Sequence, residues 1–162
     1  MSKKPRRRRA LGKIDQLDLK ILGELVKDSS VSIPKLAKTL GENTSVVYSR
    51  VKRMVKRGLI KRYTLIVNDL LLGYTVGATV CVKIDARARE SVIKALSGIP
   101  NIYDIREITG RYDIIFRVKA RDLKELHDLV AKQVAVIEGV SGTETFVELL
   151  GHEKEIVYSL PS

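Results

Sequence analysis

The sequence predicts an α+β protein, with a winged helix-turn-helix domain at residues 14–67 and a ferredoxin-like βαββαβ domain at residues 73–162. Three amphipathic helical segments precede a basic strand-like segment, and strand and helix patterns then alternate along the rest of the chain. The charge is also divided. Residues 1–67 carry 18 Lys and Arg against 5 Asp and Glu, whereas residues 68–162 carry 12 against 14. We therefore expect the first half to meet a polyanion and the second half to have a different task.

The first helix is predicted over residues 15–27. Asp15 is a suitable N-cap, and Asp18 follows three residues later, in the register of a capping box. Apolar residues recur at helical spacing and form one stripe, which consists of Ile14, Leu17, Ile21, Leu22 and Leu25. This helix is expected to support the two helices that follow.

Residues 32–56 predict two further helices joined by a tight turn. Ser32 is a suitable N-cap, Pro34 fits a first helical turn, and Gly41 allows the backbone to turn. The next helix can begin at Asn43 or Thr44, which are both cap-forming residues. The apolar sides consist of Leu36, Ala37 and Leu40 in the first of these helices and of Val47, Val51, Met54 and Val55 in the second.

The opposite side of that last helix is rich in hydroxyl groups and cations. Such a surface suits the DNA major groove, where cations reach phosphates and hydroxyls reach base edges. The predicted DNA-binding residues are Thr44, Ser45, Tyr48, Ser49, Lys52 and Arg53, with Lys61 and Arg62 from a basic strand predicted over residues 59–67. Ser45, Tyr48 and Ser49 are expected to face bases, and Lys52 and Arg53 phosphates. The alternative interpretation is a basic helix that is only solvated.

Residues 1–13 form a basic arm that is expected to be disordered on its own. Six of its cations lie within residues 3–9, and these predicted DNA-binding residues are Lys3, Lys4, Arg6, Arg7, Arg8 and Arg9. Such an arm is suited to follow a DNA backbone or to lie in the minor groove. The alternative is a tail that serves solubility alone.

The second half, after a linker at residues 68–72, predicts the order βαββαβ of a split βαβ fold. Residues 74–84 alternate apolar and polar side chains, as a strand does. A helix with Val92, Ile93 and Leu96 inward precedes two strands, near 102–109 and 112–119. A second helix at 122–137 and a strand at 143–150 follow. The inward residues predicted for that second helix are Leu123, Leu126, Leu129, Val130, Val134 and Ile137.

Several kinds of site find no support in the residues. Cys81 has no partner for an intrachain disulfide, and His127 and His152 lie far apart without cysteine partners, so no metal site is predicted. No cofactor-binding motif and no catalytic set is present, and we expect no enzymatic activity. The basic start has no apolar segment behind it, and no apolar run is long enough to span a bilayer. These observations predict a cytoplasmic protein without a membrane partner.

The chain resembles the Lrp/AsnC family of regulators, which are also called leucine-responsive or feast/famine regulators. The segments that carry the resemblance run from residue 14 to residue 150. They are IDQLDLKILGELVKDSSVSIPKLAKTLGENTSVVYSRVKRMVKRGLIKRYTLIV, LGY, ITGRYDIIFRV and GVSGTETFVEL. The pairing of a helix-turn-helix with a ferredoxin-like domain that holds a turn of the pattern Thr-Gly-x-Tyr/Trp-Asp is more specific than the helix-turn-helix alone.

The resemblance implies that the first domain binds double-stranded DNA and the second forms a homodimer, which assembles into tetramers or octamers. It also implies a small effector, usually an amino acid, bound between dimers near the turn that joins the second and third strands. Carried onto this chain, the effector-binding residues are Thr109, Gly110, Arg111, Tyr112 and Asp113, with Thr143 and Thr145 of the last strand. Many members have an acidic residue directly after the turn glycine, where this chain has Arg111.

The favoured function is therefore a sequence-specific DNA-binding transcriptional regulator that responds to an effector. Arg111 is suited to the carboxylate of an amino acid and Asp113 to its ammonium group. An architectural DNA-binding protein with weak sequence specificity is the alternative, because the same two halves would serve both.

Overall fold

The computed structural model describes residues 14–152, 154 and 156–159. These residues form two compact units. One unit contains residues 14–66 and those after 152, and the other contains residues 67–152. The basic arm predicted at residues 1–13 lies outside the described residues.

The first unit is a three-helix structure whose helices begin where the sequence predicts. The helices are α1 (Gln16–Lys27), α2 (Ile33–Leu40) and α3 (Thr44–Lys56). The capping box of α1 is confirmed: the Asp15 carboxylate accepts from the backbone N–H groups of Leu17 and Asp18, and the Asp18 carboxylate accepts from that of Asp15. Gly41 ends α2 with a φ of 67°, a left-handed conformation that glycine adopts without steric cost.

The three helices enclose one apolar core, which consists of Ile21, Leu25, Leu36, Ala37, Val47, Val51 and Met54. Helical spacing predicts each of these side chains inward. It also predicts Val55 inward, and that prediction is wrong, because the Val55 side chain is 44% exposed. Val55 follows Met54 directly and is therefore rotated by about 100° from that buried residue around the helix.

The strand predicted over residues 59–67 is not formed. Leu59 and Ile60 pack against the helical core, but residues 61–68 have no regular secondary structure. A β-strand needs a partner for its backbone groups, and all the strands within the described residues belong to one sheet that excludes this segment. Leu65 and Ile66 are consequently more than four-fifths exposed.

The second unit has the predicted βαββαβ order. Its elements are β1 (Val76–Ile84), α4 (Arg89–Ser97), β2 (Ile102–Glu107), β3 (Ile114–Ala120), α5 (Leu123–Leu129) and β4 (Val140–Val147). The strands form one antiparallel sheet in the order β2-β3-β1-β4. The fold-class prediction is confirmed.

The second helix of this unit is shorter than predicted. After Leu129 the chain continues as one turn of π-helix, Val130–Val134, in which the Ala135 N–H donates to the Val130 carbonyl at 2.8 Å. Leu126, Leu129 and Val134 are buried as expected. Leu123 is 61% exposed, so its predicted inward position is wrong. Leu123 is the first residue of α5, and the side chains of this helix that are buried begin one turn later, at Leu126.

The helices α4 and α5 cover one face of the sheet. Val80 of β1 lies opposite Phe116 of β3 and Thr145 of β4. Val80 and Phe116 are fully buried and share one core with Val92 and Leu96 of α4 and with the apolar residues of α5. The neighbouring register positions point to the other face. We call it the open face, and it carries Thr79, Cys81, Ile115, Arg117, Glu144 and Phe146.

Candidate DNA interface and effector turn

The exposed side of α3 presents the hydroxyl-rich surface that the helical spacing predicts. Burial of Val47, Val51 and Met54 fixes the rotation of α3, which leaves the opposite side to solvent. Tyr48 is 55% exposed, and the Lys52 ammonium lies 5.8 Å from the centre of its ring. The other exposed polar side chains are Thr44, Ser45, Ser49 and Lys56. A helix with this surface can place hydroxyls and cations together in a groove.

Two arginines of α3 bind carboxylates within the protein. Asp18 is only 1% exposed, and its oxygens accept hydrogen bonds from Arg50 at 3.0 Å and from Arg53 at 2.8 and 2.9 Å. Arg50 also binds the Asp15 carboxylate at 2.6 and 2.7 Å. This hydrogen bonding raises the pKa of the Arg50 guanidinium and holds the pKa of Asp15 below its ordinary value.

The pairing changes the interpretation of Arg53. Its spacing places it on the DNA-facing side, yet the structure directs its Nη2 group to a buried carboxylate and leaves its side chain 39% exposed. Arg53 therefore anchors α3 to α1, whereas Lys52 remains exposed. Sequence reasoning missed this because α1 and α3 are far apart in sequence, and no spacing rule joins them.

The other predicted DNA contacts lie outside regular structure. Lys61 and Arg62 are exposed and follow the end of α3 in the segment that forms no strand. The six predicted DNA-binding cations of residues 3–9 are outside the described residues.

The predicted effector turn is a closed hairpin connection between β2 and β3. The Ile108 N–H donates to the Asp113 carbonyl at 2.9 Å, and the Asp113 N–H donates to the Val82 carbonyl of β1 at 3.0 Å. Gly110 has a φ of 127°, a value that side-chain-bearing residues rarely adopt. Thr109 and Arg111 are exposed at its tip.

Asp113 fastens this turn to the sheet. One carboxylate oxygen accepts from the Ile84 N–H at 3.1 Å, and the other lies 3.7 Å from the Arg89 guanidinium of α4. Arg89 also binds Glu107, at the end of β2, at 2.8 Å. Both oxygens of Asp113 thus lie near a partner within the second unit, and its expected role as an acceptor for an ammonium group stays a prediction. Sequence reasoning did not single out Arg89, which no motif connects to the turn.

Tyr112 and the two threonines of β4 lie on different faces of the sheet. The Tyr112 hydroxyl donates to Glu144 on the open face, and this hydrogen bond raises the pKa of Tyr112. Thr143 and Thr145 are opposite Val82 and Val80, on the face that the helices cover. Since β1 separates β4 from β3, at least two strand spacings, about 10 Å, lie between the threonines and the turn. The structure thus groups Thr109–Asp113 in one turn and does not bring the two threonine side chains to it.

Comparison with known proteins connects both units to one family. Residues 14–61 match the model of a winged helix-turn-helix DNA-binding domain, and residues 77–157 match that of the Lrp/AsnC ligand-binding domain. The chain belongs to the Lrp/AsnC family. It is a transcriptional regulator with a DNA-binding winged helix-turn-helix domain and an effector-binding domain.

Similar members of the Lrp/AsnC family span nearly the whole chain. A transcriptional regulator of Pyrococcus furiosus is 34% identical, over 88% of this chain and 94% of its own length. The regulatory protein AsnC of Haemophilus influenzae is 31% identical, over 84% of this chain and 91% of its own.

Solved structures show the same fold. LrpC of B. subtilis has a TM-score of 0.81 at 28% identity and covers 88% of this chain and 99% of its own. A regulator of Neisseria meningitidis, solved in complex with L-Met, has a TM-score of 0.85 at 18% identity, over 91% and 97% of the two chains.

Membrane spans and metal sites find no candidates among the residues that the structure describes. In this part of the chain, no helix combines the length and apolar character that crossing a membrane requires. The same residues contain no group of three or more His, Cys, Asp or Glu side chains placed to hold a metal ion.

Proposed function

We propose that this Lrp/AsnC regulator recognises specific DNA sequences with α3, and that a small effector at the Thr109–Asp113 turn changes its assembly and its DNA binding. The observation that carries the DNA part is the exposed cluster of Ser45, Tyr48, Ser49 and Lys52. Hydroxyl groups at base edges give sequence preference, whereas Lys52 supplies phosphate affinity. Lys61, Arg62 and the basic arm add further phosphate contacts.

The proposal includes a homodimer that assembles further into tetramers or octamers. Two features support it. Phe146 is 51% exposed on the open face, which also carries the partly exposed Ile115, and residues 61–67 pair with no strand within the described residues. A second copy would bury apolar surface of this kind, which soluble monomers rarely expose over a wide area.

An amino acid or a related small carboxylate is the proposed effector. The Neisseria relative was solved with L-Met, and the turn here offers a guanidinium and an approachable glycine backbone. The protein is proposed to act in the cytoplasm, on DNA, and without catalysis.

Linkage provides the test of this function. If an effector favours one assembly state, then assembly must change effector affinity by the same factor. DNA affinity and sedimentation of the full chain are measured with each common amino acid and 2-oxo acid. The proposal requires at least one compound to shift both quantities. If none alters either of them, the effector role of the turn is wrong.

A further inference from the structure

The turn at residues 108–113 carries one charged group that has no opposite charge beside it, and that group is positive. Arg111 is exposed, and its guanidinium lies 5.5 Å from the centre of the Tyr112 ring. Within the described residues, its guanidinium forms no ion pair with a carboxylate, in contrast to Arg89 and Arg106. An exposed guanidinium retains donors for a planar, two-oxygen acceptor.

Each acidic group around the turn already has a partner within the protein. Glu107 binds Arg89 at 2.8 Å, and Asp113 lies between the Ile84 N–H and the same guanidinium. Glu144 accepts the Tyr112 hydroxyl on the open face. An incoming ammonium group would therefore have to share one of these three carboxylates with a partner that is already bound. An incoming carboxylate would displace nothing at Arg111.

The space beside Arg111 is open. A Cβ atom built on Gly110 would meet no heavy atom within 4 Å, and Thr109 is exposed on its other side. A ligand can thus approach the backbone of the turn and the guanidinium together.

We propose that the effector of this protein is a small carboxylate of net negative charge, either an acidic amino acid or a 2-oxo dicarboxylic acid, and that Arg111 selects it. This inference rests on the proposed effector role of the turn. The α-carboxylate of a neutral amino acid would pair with Arg111, but the ammonium group of the same ligand would then lie close to the guanidinium, and each nearby protein carboxylate already has a partner. A second carboxylate on the ligand offsets this repulsion between the ammonium group and the guanidinium, and a ligand without an ammonium group avoids it.

The test is calorimetric titration of the full chain at one ionic strength with L-glutamate, 2-oxoglutarate, L-glutamine, L-leucine and L-lysine. L-glutamine matches L-glutamate in shape and lacks its negative charge. We expect L-glutamate or 2-oxoglutarate to bind about 10-fold or more tightly than L-glutamine, as the loss of a hydrogen bond between charged groups requires. The two anions together show whether an ammonium is needed. Equal binding of L-glutamine or L-leucine overturns the inference.

Two variants locate the selectivity. Arg111→Gln should weaken binding of the anion by about 10- to 100-fold. Its matched control is Arg106→Gln on β2, an exposed arginine paired with Asp104, which should bind like the wild type. Both sites are exposed, and melting without ligand checks that folding is intact. Unchanged anion binding by Arg111→Gln contradicts the proposal.

Different results would contradict the effector function of the turn and the selection of an anion by Arg111. A neutral or cationic amino acid that binds best and changes DNA affinity would contradict selection by Arg111 and leave the effector function in place. If no compound of the panel binds or changes DNA affinity or assembly, both proposals are wrong.

Discussion

Asp18 and Arg53 form a hydrogen-bonded ion pair, 2.8 Å between Oδ2 and Nη2, that ties the first helix of the DNA-binding unit to the helix that presents its polar face. The carboxylate is buried and also accepts from Arg50, so it pairs with two cations of α3. The orientation of the surface that we propose to face DNA thus depends on an acidic residue on another helix.

Replacing Asp18 with Asn should strongly destabilise the first unit, because two guanidinium groups lose their shared charge partner. Breaking a buried pair costs about 3–5 kcal/mol; since Arg53 is partly exposed, we expect about 2–3 kcal/mol. Urea unfolding measures this change. Glu24→Gln is the control, since Glu24 pairs with Lys27 at the surface of the same helix and should change stability by less than about 1 kcal/mol. Equal losses of stability in the two variants would show that the buried pairs of Asp18 contribute no more to stability than the surface pair of Glu24.

Acidification tests the same cluster through Asp15. Hydrogen bonds from Arg50 and from the Asp18 N–H hold its pKa below the ordinary 3.8. A lower pKa in the folded state means that the contribution is fully present above pH 3.8 and is lost as the pH falls through the folded-state value. Asp15→Asn, which keeps the ability to cap, should therefore flatten the loss of stability below about pH 4. An unchanged slope of stability against pH would contradict this.

Much of the fold follows from local patterns, whereas the missing parts depend on interactions across the chain. The capping box of α1 and the alternation along β1 each depend on residues close together in the sequence, and the structure confirms both. The strand prediction at residues 59–67 is wrong because this segment finds no partner strand within the described residues. The structural roles of Arg53 and Arg89 do not follow from local patterns, since each depends on a carboxylate brought close only by folding.

Lys52 is predicted to contribute phosphate affinity without sequence preference. Lys52→Ala should weaken binding to all DNA sequences alike and reduce the slope of log affinity against log salt by about one. Lys94→Ala, an exposed lysine on α4 of the other unit, serves as the control and should leave the slope unchanged. A changed base preference with general affinity intact would show that Lys52 contacts bases instead.

The basic arm is predicted to bind DNA phosphates. Deletion of residues 1–12 should lower affinity and make the salt dependence less steep, by roughly 0.9 for each phosphate of duplex DNA that the arm would otherwise neutralise. Titrations at several salt concentrations measure both effects. If the slope stays the same, the arm serves solubility and not DNA binding.

The open face is predicted to form the dimer. A fragment of residues 70–162 should fold, because it contains the whole core of the second unit. It should be dimeric in sedimentation at micromolar concentration, because α4 and α5 cover only the other face of its sheet. Phe146→Asp should shift that fragment to the monomer, since a charge would replace an exposed apolar ring on the open face. A monomeric wild-type fragment would contradict this assignment.

Sequence-specific recognition of DNA is the central claim, and a specificity ratio tests it most directly. DNA fragments are selected from a random-sequence library by the full chain, and the affinity for the best fragment is compared with that for unrelated DNA at one salt concentration. A sequence-specific regulator should prefer its selected site by about 1,000-fold or more, and Tyr48→Ala should reduce that preference. A ratio near one, with no consensus among the selected fragments, would contradict the account and indicate an architectural DNA-binding protein.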